Sequence, residues 1–190
     1  MPPIQLYHLS IGNMKKGLIL FKSRYGTTAQ YTHWLSNELH LSSMDIDNAT
    51  AQSLSEFEFL VIGTPVYYGK LPVRSFLNKH RDLLKTKKLF LFIVCATPDS
   101  SEKEQEKILT NNIPKALWSW DNVFFLPGRL IPAKLDLVDR FILRIATLFE
   151  KDPSRKKLMS EGIDNISKDN LIDLFLAVKI HTLHKKSDHN

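Results

Sequence analysis

The stretch 17–28, GLILFKSRYGTT, constrains the fold of this chain more than any other. Residues 18–21 form an unbroken apolar run, too short for an independent helix and flanked by polar residues, as expected of a parallel strand covered on both faces. The SRYGTT that follows supplies the hydroxyls of Ser23, Thr27 and Thr28, the conformationally free Gly26, and a series of backbone N–H groups. A helix starting near Thr28 would aim its unpaired N–H groups and positive dipole end into the same loop. Together these make an anion cradle that needs little help from charged side chains.

Composition sets the outer limits. A chain of 190 residues, 43% hydrophobic and 24% charged, suits one globular domain with a substantial core. The lone cysteine, Cys95, excludes an internal disulfide and lies near no Cys or His cluster, which implies a reducing cytoplasm and no structural zinc. No apolar run approaches the roughly 20 residues of a membrane span. The net charge of +6 favours anionic partners, whether a membrane surface, nucleic acid or an acidic small molecule.

Taken in order, residues 1–13 show no clear period. Met14-Lys15-Lys16 before the first strand looks like a translation start, so the first thirteen residues read as an extension outside the fold. After the cradle, Tyr31, Leu35 and Leu39 recur at four-residue spacing and predict an amphipathic helix over 28–40. Residues 43–46 are a weak strand, 49–55 a short helix and 59–62 a clear buried strand. That strand runs into GTPVYYGKLP, where Gly63, Pro65, Gly69 and Pro72 forbid a continuous regular element. Pro72 suits a helix first turn, followed by helical spacing from Val73 to Leu84.

Residues 88–96 hold the longest apolar run and predict a central strand. The loop TPDSS follows, then a helix over 102–117 that Pro114 would bend or end, and a fifth strand over 123–126. Strand and helix alternating in this way imply a mostly parallel sheet with helices on both faces. Residues 127–164 exceed what five such units require. Within them, 135–150 predicts a helix with Asp136, Asp139, Arg140, Arg144 and Thr147 on a narrow polar stripe and a wide apolar surface around the rest. A closing helix over 170–179 and a polar tail, 181–190, complete the chain, with the domain itself over 14–180.

Several phosphate-binding classes are disfavoured. SRYGTT has no lysine followed by Ser or Thr at the end of a longer glycine loop, as P-loop NTPases require, and GxGxxG is absent. A receiver domain would want acidic residues where Lys22-Ser23 and Gly63-Thr64 stand.

SRYGTT, followed one βαβ unit later by GTPVYYGKLP, resembles the phosphate loop and first flavin-contacting loop of flavodoxin-like proteins. The resemblance covers nearly the whole chain from Met14. It implies a flavodoxin-like α/β three-layer sandwich, a five-stranded parallel sheet in the order 2-1-3-4-5 with a late helical insertion, and FMN at the switch point of that sheet. The segment GRLIPAKLDLVDRFILRIATLF further resembles the branch that includes menaquinone-dependent protoporphyrinogen IX dehydrogenase.

Carried over residue by residue, Ser23, Thr27 and Thr28, with the loop backbone at Arg24, Tyr25 and Gly26, would hold the FMN phosphate. Thr64, Pro65, Val66, Tyr67, Tyr68 and Gly69 would line the isoalloxazine, one tyrosine stacking on it, with Thr97 and its neighbours Ala96 and Pro98 bordering it. Blander roles compete: the two tyrosines can simply pack the loop, Cys95 reads as core, and His33, His40 and His80 gather into no metal site.

The resemblance implies an FMN-dependent oxidoreductase that oxidises protoporphyrinogen IX to protoporphyrin IX with a quinone acceptor. It would be cytoplasmic, or peripheral on the inner face of the membrane through 129–150. Its partners would be a small-molecule substrate and a quinone or redox protein, with no nucleic acid. Arg129, Lys134, Arg140 and Arg144 would attract propionates or anionic headgroups. The alternative is a flavodoxin-type electron carrier, against which the basic charge counts; a flavin-free interaction module is a third reading. No catalytic residue is assigned, and the oligomeric state stays open.

Overall fold

The computed structural model describes residues 15–96 and 101–183. The expectations for residues 1–13, for Thr97 and Pro98, and for the end of the polar tail lie outside the described residues. Five strands form one parallel sheet: β1 (Gly17–Phe21), β2 (Ser42–Asp45), β3 (Phe59–Pro65), β4 (Lys88–Cys95) and β5 (Val123–Pro127), in the order β2-β1-β3-β4-β5. The order turns back at β1, so the loops after β1 and β3 meet at the carboxyl edge where a ligand crevice is expected.

The sheet separates two cores because side chains alternate across it. Leu18 and Leu20 of β1 face a cluster with Leu54 of α2 (Ala51–Ser55), Leu77 of α3 (Arg74–Lys79), Leu84 of α4 (Arg81–Leu84) and Leu109 of α5 (Glu102–Asn112). Ile19, between them, faces the opposite cluster with Tyr31 and Leu35 of α1 (Thr27–Leu39) and Leu174 and Val178 of α8 (Ile172–Leu183). Tyr31 ties this layer to the sheet: its buried hydroxyl donates to the Pro127 carbonyl at 2.8 Å and accepts from Asn170 Nδ2 at 2.8 Å.

The departures from expectation have local causes. The helix expected over 73–84 is two, α3 and α4, meeting at His80, whose φ of −103° and ψ of 13° leave the helical region. The helix expected over 102–117 ends at Asn112, before Pro114, and a 3₁₀ turn (Lys115–Leu117) continues the chain. The helix α8 runs to Leu183, beyond the expected end near 179, because His181 packs edge-on against the rings of Phe59 and Phe90. The polar tail therefore begins later than residue 181.

The late insertion contains more structure than one helix. Its main helix is α6 (Leu137–Phe149), followed by α7 (Pro153–Glu161), which Asp152 caps through the amides of Ser154 and Arg155. Two-residue strands β6 (Arg129–Leu130) and β7 (Ile163–Asp164) pair antiparallel, and Arg129 Nε reaches Asp164 at 2.8 Å. This ribbon closes the insertion into a loop that starts and ends beside β5.

Candidate functional site

Cradle, turn and insertion enclose one cleft of about 450 Å³ at the carboxyl edge of the sheet. That is a size for a nucleotide-scale ligand. Its floor and walls come from Ser23, Thr27 and Thr28 after β1, Pro65 to Tyr68 after β3, Val94 to Ala96 at the end of β4, and Gly128 to Ile131 after β5. Lys134, Leu135 and Leu143 of the insertion close the remaining side.

The cradle forms because Gly26 sits at the α1 N-cap with φ of 87°, a left-handed conformation that glycine adopts without a Cβ penalty. Ser23 Oγ accepts from the Gly26 amide at 3.2 Å, which folds the loop back over the helix start. No side chain caps α1, and its first turn carries no acidic residue, so its leading N–H groups stay available. Thr28 is fully buried, and its Oγ1 has no hydrogen-bond partner. A buried hydroxyl left unpaired is costly unless a ligand completes it. Uncapped amides, an orphaned hydroxyl and no carboxylate in the first turn fit a phosphate dianion. Lys22, although adjacent, is engaged by Asp45 at 3.3 Å and by Asp47.

The second loop is a tight hairpin. Tyr67 and Lys70 exchange both backbone hydrogen bonds at 2.9 Å, and the two residues between them, Tyr68 and Gly69, both have positive φ, 52° and 74°. Type I′ turns require this, and it is cheap for glycine but strained for tyrosine. Buried Asn112 holds the turn: its Oδ1 accepts from the Leu71 amide at 3.0 Å and its Nδ2 donates to the Gly69 carbonyl at 2.9 Å. The strain presents Tyr68, 58% exposed, at the tip. Tyr67 lines the cleft and meets Tyr25 edge-on at 6.0 Å between ring centres.

The insertion packs in a way the sequence does not announce. The only buried residue of α6 is Asp139. Its Oδ1 accepts from Tyr68 Oη at 3.2 Å, its Oδ2 accepts from Tyr25 Oη, and Arg24 Nη1 lies 3.0 Å from the same oxygen. One turn earlier Asp136 caps the helix, accepting the Asp139 amide at 2.8 Å, and also receives Arg24 Nη2. That amide bond, with Arg24 beside it, holds the Asp136 carboxyl below the usual carboxylate range. Although most of the Tyr68 ring is exposed, loss of water around its hydroxyl, and then the Asp139 charge, push the phenol up to about 12. Burial together with the hydrogen bond to Asp139 raises Tyr25 as well, so both phenols stay protonated and donate.

The opposite face of α6 points outward. Leu137, Val138, Phe141, Ile142, Ile145, Leu148 and Phe149 are all exposed, Leu137 at 80% and Phe149 at 79%. The part of the polar stripe around Asp139 thus meets the protein, Arg144 stays exposed, and the apolar surface faces out, the reverse of an ordinary surface helix.

Of the residues expected at a site, Ser23, Arg24, Tyr25, Thr27, Thr28, Pro65, Val66, Tyr67 and Tyr68 meet in the cleft, with Ala96 beside them. Gly26 shapes the loop. Thr64 is buried with its hydroxyl donating to the Pro65 carbonyl at 3.2 Å, and neither it nor Gly69 lines the cleft. Cys95 lines it from the end of β4. Among the expected cations, Arg129 and Lys134 border the cleft. Arg140 does not: its Nη2 donates to the carbonyls of Ala133 at 2.7 Å and Leu135 at 3.1 Å. The residues missed were Asp136, Asp139 and Asn112. The two aspartates stand three apart in the sequence, but nothing local marks Asp139 as the one that is buried.

Among the described residues, no group of three or more His, Cys, Asp or Glu can hold a metal ion, and no helix is long and apolar enough to cross a membrane. Among curated proteins, none matches the chain in sequence. Solved structures that resemble it include a flavodoxin from Fusobacterium nucleatum bound to flavin mononucleotide, 16% identical over 54% of this chain and 68% of that one, TM-score 0.37. A flavodoxin, WrbA-like protein from Agrobacterium tumefaciens is 16% identical over 70% of this chain and 96% of that one, TM-score 0.45. The rubredoxin oxygen:oxidoreductase of Desulfovibrio gigas is 12% identical over 89% of this chain but 37% of its own length, TM-score 0.46. The flavodoxin domain family matches residues 18–157. With that match spanning most of a sheet ordered β2-β1-β3-β4-β5 and the cradle at the end of β1, this chain belongs to the flavodoxin domain family.

Proposed function

We propose that this protein is an FMN-dependent oxidoreductase that works at a membrane surface, oxidising protoporphyrinogen IX and passing the electrons to a quinone. The cofactor assignment rests on the cradle, whose orphaned Thr28 hydroxyl and uncapped α1 amides suit a phosphate, and on the cleft beyond it, whose Val66, Tyr67 and Leu130 suit a flat aromatic ring. Ser23, Thr27 and Thr28, with the amides of Tyr25 and Gly26, hold the phosphate; Val66, Tyr67, Tyr68 and Ala96 flank the ring. FMN, when bound, supplies the electron-accepting chemistry, while the chain orients it, shields it from water and sets its potential.

The observation that carries the enzyme and membrane reading is α6. A helix with seven exposed apolar side chains beside the mouth of the cleft is built to sit against an apolar phase, where a quinone dissolves. Lys134 at the rim gives the carboxylates of a porphyrinogen an oppositely charged approach, while Arg129 beside it is paired with Asp164. No side chain is assigned as acid or base.

Anaerobic stopped-flow mixing of the FMN-loaded protein with protoporphyrinogen IX tests the substrate. The flavin absorbance near 450 nm is expected to bleach and then to recover when a menaquinone analogue is added. Failure to bleach, with rapid reduction by a flavodoxin reductase, would instead make the protein an electron carrier.

A further inference from the structure

Three parts of the chain that are far apart in sequence meet at one carboxylate. The phosphate loop arrives through Arg24 and Tyr25, the strained hairpin through Tyr68, and α6 contributes Asp139 itself. We propose that Asp139 is a positioning residue that fastens both flavin-facing loops to α6, so that filling the cleft and seating α6 are linked events. This rests on the FMN reading above.

A surface helix is ordinarily held by an apolar face, but α6 turns its apolar face outward and buries only Asp139. Its hold on the sheet domain is therefore largely the polar junction, supported by Leu143 at the cleft wall. Each partner of Asp139 sits on a loop that contacts the ligand region, and Tyr68 is kept in a left-handed conformation that is costly for a side chain of its size. A residue in such a conformation persists only where its surroundings over-determine it, and the bond to Asp139 acts on the Tyr68 side chain alongside the Tyr67–Lys70 backbone pair and the Asn112 brace, which hold the turn's backbone. A ligand that orders both loops presents Asp139 with fixed donors and so steadies α6. By reciprocity, a seated α6 pre-orders the loops and tightens the ligand.

The full-length protein, Asp139→Ala, Tyr68→Phe and the double variant are compared by FMN titration and by tryptic cleavage within 140–157, with and without FMN. In the wild type, FMN is expected to slow that cleavage roughly tenfold; in Asp139→Ala the slowing should fall below about twofold, with FMN bound about tenfold more weakly. Tyr68→Phe should weaken FMN about fivefold in the wild type and hardly at all in the Asp139→Ala background, a non-additivity that general destabilisation would not produce. Far-UV circular dichroism checks folding, and Asp139→Asn replaces Asp139→Ala if the latter unfolds. If the wild type binds FMN while the Asp139 variant binds it equally and is equally protected, the linkage is overturned and the cofactor reading stands. A wild type indifferent to FMN overturns both.

Discussion

Replacing Thr28 by valine is expected to stabilise the protein and weaken FMN binding at the same time. The Thr28 hydroxyl is buried and has no partner within the fold, so without ligand it is a desolvated polar group with nothing in return. A methyl of similar size removes that penalty, and thermal unfolding of the ligand-free protein should show a gain of about 1 kcal/mol. With the phosphate in place, the same hydroxyl donates to a charged acceptor, a bond worth about 1.5–3 kcal/mol. Its loss should lower FMN affinity about 10–100-fold. The opposite signs are what identify a ligand-binding group; a hydroxyl that merely stabilised the fold would lose on both measurements.

The second large effect concerns α6. Changing Phe141 and Phe149 to serine should leave the melting temperature nearly unchanged, because both rings are largely exposed, at 64% and 79%. Binding to anionic lipid vesicles should nevertheless fall about 100-fold or more, since burying each ring in the lipid interface contributes about 1.5–3 kcal/mol. Sedimentation with vesicles of phosphatidylglycerol and phosphatidylcholine measures this. A mutant that binds vesicles as well as the wild type would remove the membrane from the account, and a marked loss of stability would mean that the rings are packed in the protein.

These two predictions draw on different degrees of legibility. The cradle could be read from sequence because its parts are adjacent: an apolar strand, three hydroxyls and a glycine stand within twelve residues, and although that pattern alone also suits a plain turn with a helix cap, GTPVYYG one βαβ unit later favours the phosphate site. The sheet was legible for a similar reason, since strands buried on both faces are continuous apolar runs, and β1, β3 and β4 carry them. The interruption after β3 was misplaced: Gly63 and Pro65, read as breakers, belong to the strand and pair in register with Phe92 and Val94 of β4, so β3 ends three residues later than the expected 62 and only Gly69 and Pro72 lie beyond it.

The orientation of α6 was not legible. Periodicity states which side chains share a face, but not which face meets the protein, and the usual assumption that the apolar side is inside fails here. Asp139 became buried because Arg24, Tyr25 and Tyr68, from distant loops, converge on it; no local spacing records that. The ribbon of β6 and β7 was equally hidden, since two residues cannot show a period. The helix α7 is a different case: Asp152 before Pro153 and the glycine at 162 are start and stop signals that stand in the sequence. The break at His80 lacks such a marker.

If the cleft at the carboxyl edge of the sheet holds FMN, the folded chain retains the flavin through a separation from free ligand. Purified protein is mixed with FMN, separated from free ligand by gel filtration and scanned through the visible range before and after denaturation. A flavin spectrum is expected to travel with the protein, close to one flavin per chain, released intact on denaturation and much reduced in the Thr28→Val variant. A colourless protein fraction, with folded chain and all the flavin in the free-ligand peak, would contradict it.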